Sequence, residues 1–286
     1  MATLTGPGVR LHYVEEGTGD PPFVFVHGWC CDHTFFQPQF DHFKPSHRVV
    51  ALDLRGCGAS DKPEGGYDIP TLTDDVARLC REIGLVKPVV VGHSLGGMIG
   101  VELAARHPSL ARAIVADDPG PIAMLPESRA VFEAFIAALE GPDSSAARKG
   151  YIDGMFLPAG DQVLRRRITQ TMCSAPLHVA IEVLRGVLTW NGAGAVQLCN
   201  VPLLVLLSEI GGHRAVPVLP GRLRGAVETL VDAEAGDDQD DGPDHDLDHQ
   251  PAALVAHAGA RKTPAEPDGR VGSTHAAGIG PAGTRL

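Results

Sequence analysis

An α/β fold, with a mostly parallel central sheet flanked by helices, is predicted by three observations. First, short uninterrupted apolar runs recur early in the chain: Phe23-Val24-Phe25-Val26, Val49-Val50-Ala51-Leu52, Val89-Val90-Val91 and Ala113-Ile114-Val115-Ala116. Runs of this kind suit strands covered on both faces, which is the setting of a parallel sheet. Second, helical periodicity falls between them. Thr71 to Ile83 carries Leu72, Val76, Leu79, Cys80 and Ile83 at helical spacing, with Asp74 and Asp75 in the first turn and Gly84 as a stop. Third, strand and helix alternate repeatedly, as crossover connections between parallel strands require.

The elements follow in order. Val9-Arg10-Leu11-His12-Tyr13-Val14 alternates and reads as an edge strand, followed by a Gly17-Thr18-Gly19-Asp20 turn. The run ending at Val26 leads into His27-Gly28-Trp29-Cys30-Cys31. The run ending at Leu52 leads into Asp53-Leu54-Arg55-Gly56-Cys57-Gly58-Ala59-Ser60. Val89-Val90-Val91 enters Gly92-His93-Ser94-Leu95-Gly96-Gly97 and then a helical stretch through Arg106. In this strand–turn–helix context a G-x-S-x-G match carries meaning. Gly92 and Gly96 remove side chains that would clash in a sharp turn, which leaves Ser94 strained and lifted out at the carboxyl end of a buried strand. The N–H of Leu95 then stands at the positive start of the next helix. The run ending at Ala116 leads into Asp117-Asp118-Pro119-Gly120-Pro121.

From Ile122 to Ala195 helical patterns dominate, among them Val131, Phe132, Phe135, Ile136 and Leu139. Val201 to Leu207 returns to the sheet, and Ala226 to Val231 reads as the last strand. An acidic run follows, and from Ala258 the chain is rich in Gly, Ala, Pro and Arg without periodicity. The predicted organisation is therefore a core over 1–121, a helical stretch between two sheet strands over 122–195, a second core part with an acidic run over 196–257, and a disordered tail over 258–286.

At 286 residues and 44% apolar composition the chain can build one large core. Its formal charge of −11 argues against nucleic acid or an anionic membrane as partner. No window offers the roughly 18 consecutive apolar residues of a membrane span. The N-terminus lacks a basic stretch followed by an apolar run, so no signal peptide is expected. Cys30, Cys31, Cys57, Cys80, Cys173 and Cys199 show no C-x-x-C spacing and read as reduced thiols of a cytoplasmic protein.

His27-Gly28, Asp53-Leu54-Arg55-Gly56-x-Gly58-x-Ser60 and Gly-His-Ser-Leu-Gly-Gly together resemble the α/β-hydrolase family over about residues 12–120. The resemblance implies an oxyanion hole from the N–H groups of Trp29 and Leu95. It also implies a helical cap over the pocket at 122–195, with Met155, Phe156, Met172 and Trp190 as candidate pocket liners. The Asp53 to Gly58 stretch is then a structural turn, and His27 orients its loop.

A serine hydroxyl needs a base within hydrogen-bond reach and a third group to hold that base. Ser94 is the expected nucleophile. A serine there, where an aspartate would form an alkyl-enzyme, argues against dehalogenase or epoxide-hydrolase chemistry. In the family the base is a histidine after the last strand, which singles out His245; His213, in Gly211-Gly212-His213, is the alternative. His249, His257 and His275 are less well placed, and His93 reads as a packing residue. The family acid usually follows the strand at 201–207, but no aspartate lies between Val201 and Val231. Asp117 is the preferred acid, with Asp118 and Glu209 as alternatives. No metal or cofactor is expected: Asp237-x-Gln239-x-Asp241-Gly242 imitates a calcium loop only loosely and lacks its final glutamate. The expected activity is hydrolysis of a carboxylic ester or lactone of a small to medium apolar acid. Carbon–carbon or amide hydrolysis, cofactor-free perhydrolysis, and a hydrolase-like binding protein with an incomplete triad are the alternatives.

Overall fold

The computed structural model describes residues 2–6, 8–156, 160–209 and 212–218, with side chains described through residue 207. The strands are β1 (Ala2–Gly6), β2 (Val9–Glu16), β3 (Phe23–Val26), β4 (Val49–Leu52), β5 (Val89–His93), β6 (Ala113–Asp117), β7 (Leu203–Glu209) and β8 (Gly212–Val218). They form one sheet in the order β1-β2-β4-β3-β5-β6-β7-β8. The five central strands, β4-β3-β5-β6-β7, are parallel. Antiparallel pairs close both ends.

The continuous apolar runs are explained by two covered faces. Val24, Val26, Val50 and Leu52 enter one buried cluster. Phe25, Val49 and Ala51, which alternate with them, enter another beneath Phe36 and Phe40. The second cluster is roofed by a 3-10 turn (His33–Phe36) and α1 (Gln37–Phe43). On the first face lie α2 (Ile69–Glu82) and α3 (Leu95–Arg106). α2 starts two residues before the expected Thr71, because the Asp68 side chain accepts the Thr71 N–H at 2.9 Å and Pro70 fits the first turn.

Two expectations at the sheet edges are corrected. Val9 to Val14 was expected at the edge, but β1 lies outside β2, with Leu4 opposite Leu11. β1 is mostly exposed, so it lacks the apolar signal that marks the inner strands. β8 was not expected at all: Gly212 to Val218 pairs antiparallel with β7, Ser208 opposite His213. The strand expected at Ala226–Val231, the acidic run and the 258–286 tail lie outside the described residues.

Between β6 and β7 stand α4 (Pro126–Glu140), α5 (Ser144–Gly154), α6 (Gln162–Ser174), α7 (Leu177–Thr189) and α8 (Gly192–Leu198). α4 packs on α5 and α7, and α5 on α6, while α8 lies on α3. α7 is held closely over the loop before α2: a methyl group on Gly186 would come 2.6 Å from the Tyr67 carbonyl oxygen. No single helix among the described residues is long and apolar enough to cross a membrane.

Candidate active site

Ser94 stands between β5 and α3 with φ 52° and ψ −115°, a conformation costly for a residue with a side chain. The turn is possible only because its flanks are bare. A methyl group on Gly92 would lie 2.0 Å from the Gly96 carbonyl oxygen, and one on Gly96 would lie 2.0 Å from the Val26 carbonyl oxygen. The Ser94 backbone is fully used. Its N–H donates to the Asp117 carbonyl at 2.9 Å, and its carbonyl accepts from Gly97 and Met98 at 2.9 and 3.2 Å. The half-buried side chain therefore projects at the carboxyl ends of the parallel strands. Leu95 opens α3, so its N–H is one of the first-turn donors with no intrahelical acceptor.

The loop after β3 is pressed against this elbow. Its first residue, His27, is buried and engaged at both ring nitrogens: Nε2 accepts the Leu54 N–H at 3.0 Å and Nδ1 donates to the Gly28 carbonyl at 2.8 Å. Burial pulls its pKa down, consistent with the neutral tautomer those bonds require. His27 thus orients the loop, as the resemblance implies. A methyl group on Gly28 would lie 3.3 Å from Ser94 Cβ and 3.1 Å from His93 Nδ1. The next residue, Trp29, is buried; its indole N–H donates to the Ala180 carbonyl of α7 at 2.9 Å. Its ring meets Phe135 of α4 and Tyr151 of α5 edge-on at 5.7 and 5.9 Å. The helical insertion is therefore clamped to the loop that carries the Trp29 amide.

A second anchor was not foreseen. Asp53, with no exposed surface, receives His12 Nδ1 and the Ala59 N–H on one oxygen, and His33 Nδ1 and the His33 N–H on the other, all at 2.8 Å. Burial pushes its carboxyl pKa up, but the hydrogen bonds from His33 and Ala59 outweigh it and hold it well below the usual carboxylate range. The same bond raises the pKa of His33. His12, His33 and Asp53 offer ligand atoms within 4.8 Å of one another, a spacing a metal ion could use. Each carboxylate oxygen already accepts two N–H groups, so the cluster is complete as a hydrogen-bonded hub. Asp53 thereby ties β2, the end of the loop after β3, and the turn after β4. In sequence, only the Asp-x-Arg-Gly-x-Gly pattern hinted at it.

The expected acid, Asp117, ends β6 level with His93 and Leu206. Its neighbour Asp118 is buried, has φ 46°, and donates its N–H to the Leu206 carbonyl at 2.7 Å. His93 packs beneath the elbow; its Nε2 is buried without a hydrogen-bond partner. Burial lowers its pKa, opposed by the charges of Asp117 and Asp118.

The expected base, His245, lies outside the described residues. The His213 backbone is in β8, three strands from β5, which is about 14 Å at the usual strand spacing. Glu209 ends β7 opposite Gly212. Of the expected pocket liners, Met172 is buried, and Met155 and Phe156 pack against the core. Trp190 is turned elsewhere: its indole donates to Glu102 of α3 at 2.8 Å, about 10 Å along the helix from the elbow. All six cysteines are free thiols, and burial pushes Cys30 up to about 12.

A family model described as the alpha/beta hydrolase fold matches residues 21–150. The chain is 29% identical over 237 residues to the 2-(acetamidomethylene)succinate hydrolase of Mesorhizobium japonicum, covering 74% of this chain and 84% of that protein. It is 37% identical over 118 residues to epoxide hydrolase 4 of Mus musculus, of which it spans 33%. Among solved structures, the enol-lactonase of Burkholderia xenovorans superposes with a TM-score of 0.65 at 23% identity, covering 71% of this chain and 80% of that one. The fold, with its serine elbow, is that of the α/β hydrolases, and its likeness to named hydrolases defines an enzyme of that fold class.

Proposed function

We propose that this enzyme hydrolyses a carboxylic ester or lactone through an acyl-enzyme on Ser94. The single observation that carries the reading is the strained Ser94 (φ 52°), held at the strand ends with the Gly28–Trp29 loop packed against it. In the proposed cycle a histidine, His245, takes the Ser94 proton as Oγ attacks the carbonyl carbon. The N–H groups of Trp29 and Leu95 receive the developing oxyanion, an interaction of about 3–4 kcal/mol per donor in enzymes of this chemistry. The histidine then protonates the departing alkoxide, and water releases the acid by the reverse sequence. The acid that steadies the histidine comes from Asp117–Asp118. Strain and burial favour Asp118 of the two, since backbone strain is retained where the surroundings over-determine it. The α4–α7 helices act as the cap.

Ser94 bears a hydroxyl where epoxide opening through an alkyl-enzyme would need a carboxylate, which weighs against that activity despite the partial likeness to an epoxide hydrolase. A second reading, amide hydrolysis by the same serine, is favoured by the likeness to a relative whose named substrate carries an acetamido group. A fluorophosphonate probe tests the common step. It should label the full chain at Ser94 by peptide mass spectrometry, and Ser94→Ala should lose the label and at least about 10³-fold of p-nitrophenyl ester turnover with unchanged circular dichroism. Full turnover in a folded Ser94→Ala variant would overturn the reading.

A further inference from the structure

We propose that Arg148 anchors an anion-binding subsite, and that the compound hydrolysed carries a carboxylate there. The inference that this anion belongs to a substrate rests on the serine-hydrolase reading; the binding itself does not. Arg148 of α5 is only 5% exposed. Its Nη1 donates to the Ala175 carbonyl at 2.7 Å, and its Nη2 to the Met172 carbonyl. Both carbonyls belong to the end of α6, where the helix dipole supplies about half a negative charge. The other half meets no anion: the Cys30 thiol lies against Arg148, no carboxylate among the described residues pairs with it, and its Nε is buried without a hydrogen-bond partner. Arg55, also largely buried, shows the contrast, since Asp75 receives it at both Nε and Nη2 at 2.7 and 2.9 Å.

A buried cation held only by carbonyls, with no anionic partner, is costly to keep, so such a site invites an anion. The surroundings would strengthen that interaction. The guanidinium lies 5.7 Å from the centre of the Trp29 ring. The Phe135 and Tyr151 rings, stacked at 4.0 Å, complete an apolar wall beside Trp29. In such a medium a carboxylate–guanidinium contact is weakly screened and geometrically selective. Trp29 joins the two functions: its side chain faces Arg148, and its backbone N–H is the proposed oxyanion donor. A short acyl chain ending in a carboxylate fits this division better than the wholly apolar acid expected from the sequence.

The test is a calorimetric titration of the full chain with succinamate and, separately, with succinamide, which differ by a carboxylate in place of a carboxamide. Succinamate should bind at least about tenfold more tightly. Arg148→Gln, verified as folded by circular dichroism, should bind both alike, and Arg148→Lys should keep a reduced preference. Equal affinities in the unaltered chain, or an undiminished preference in folded Arg148→Gln, would overturn the subsite and leave Arg148 as a cap for α6. Should Arg148→Gln fail to fold, the unaltered chain and Arg148→Lys decide. Selective succinamate binding with an unreactive Ser94 would reject the hydrolase reading alone, and a reactive Ser94 without selectivity would reject this one alone.

Discussion

The backbone N–H of Ser94 donates to the carbonyl of Asp117 at 2.9 Å, so the serine elbow is tied to the end of β6. The same stretch supplies Asp118, buried and forced to φ 46°. If this residue holds the catalytic base, Asp118→Asn should lower kcat by about 10²-fold or more, with a smaller change in KM. Asp117→Asn should cost less than about tenfold. Steady-state kinetics on an ester substrate distinguish the two; the opposite ranking would return the role to Asp117.

The base is tested in the same way. His245→Ala should reduce ester turnover by at least about 10³-fold. His213→Ala should be nearly silent, because its backbone lies three strands from β5. The acidic run around His245 should raise the imidazole pKa, which moves the acid limb of the pH–rate profile upward. Added salt should partly reverse that shift. An active His245→Ala variant with an unchanged profile would reject the assignment.

Trp29→Phe removes the indole bond to Ala180 and leaves that carbonyl without its donor. The expected loss is about 1 kcal/mol of stability, read from the urea midpoint. If the bond also positions the Trp29 amide, kcat should fall about tenfold while KM changes less. A stability loss with unchanged kcat would confine the bond to a structural role.

His33 links stability to pH. Its hydrogen bond to Asp53 raises its pKa in the folded chain. A histidine that holds its proton more tightly when folded adds stability below its unfolded value of about 6.5, and that contribution is lost as pH rises through the raised folded value. His33→Ala should therefore lower the thermal midpoint more at about pH 5.5 than at about pH 8.5. Thermal scans at the two values check the sign; an equal or reversed difference would exclude a charged His33–Asp53 pair. Asp53 follows the opposite rule. Its depressed pKa stabilises the fold above the ordinary carboxylate range, and the contribution is lost only as pH falls well below it.

Much of the fold was legible because its determinants are local. Four apolar runs needed no partner to announce strands covered on both faces, and the period from Leu72 to Ile83 announces α2 wherever it packs, although its start at Asp68 and Pro70 was missed. The Ser94 turn was equally readable, since Gly92 and Gly96 are the residues its close approaches demand. β1 and β8 were not legible. β1 is largely exposed and carries no apolar run, and the pairing of β8 with β7 is a property of two strands together. The same limit applies around the site. The Trp29–Ala180 bond spans 151 positions, Asp53 gathers groups from residues 12, 33 and 59, and Arg148 meets Trp29 through space. A hydrogen bond or an unmatched buried charge depends on which distant groups share one low-dielectric volume, and that volume exists only once the chain has folded.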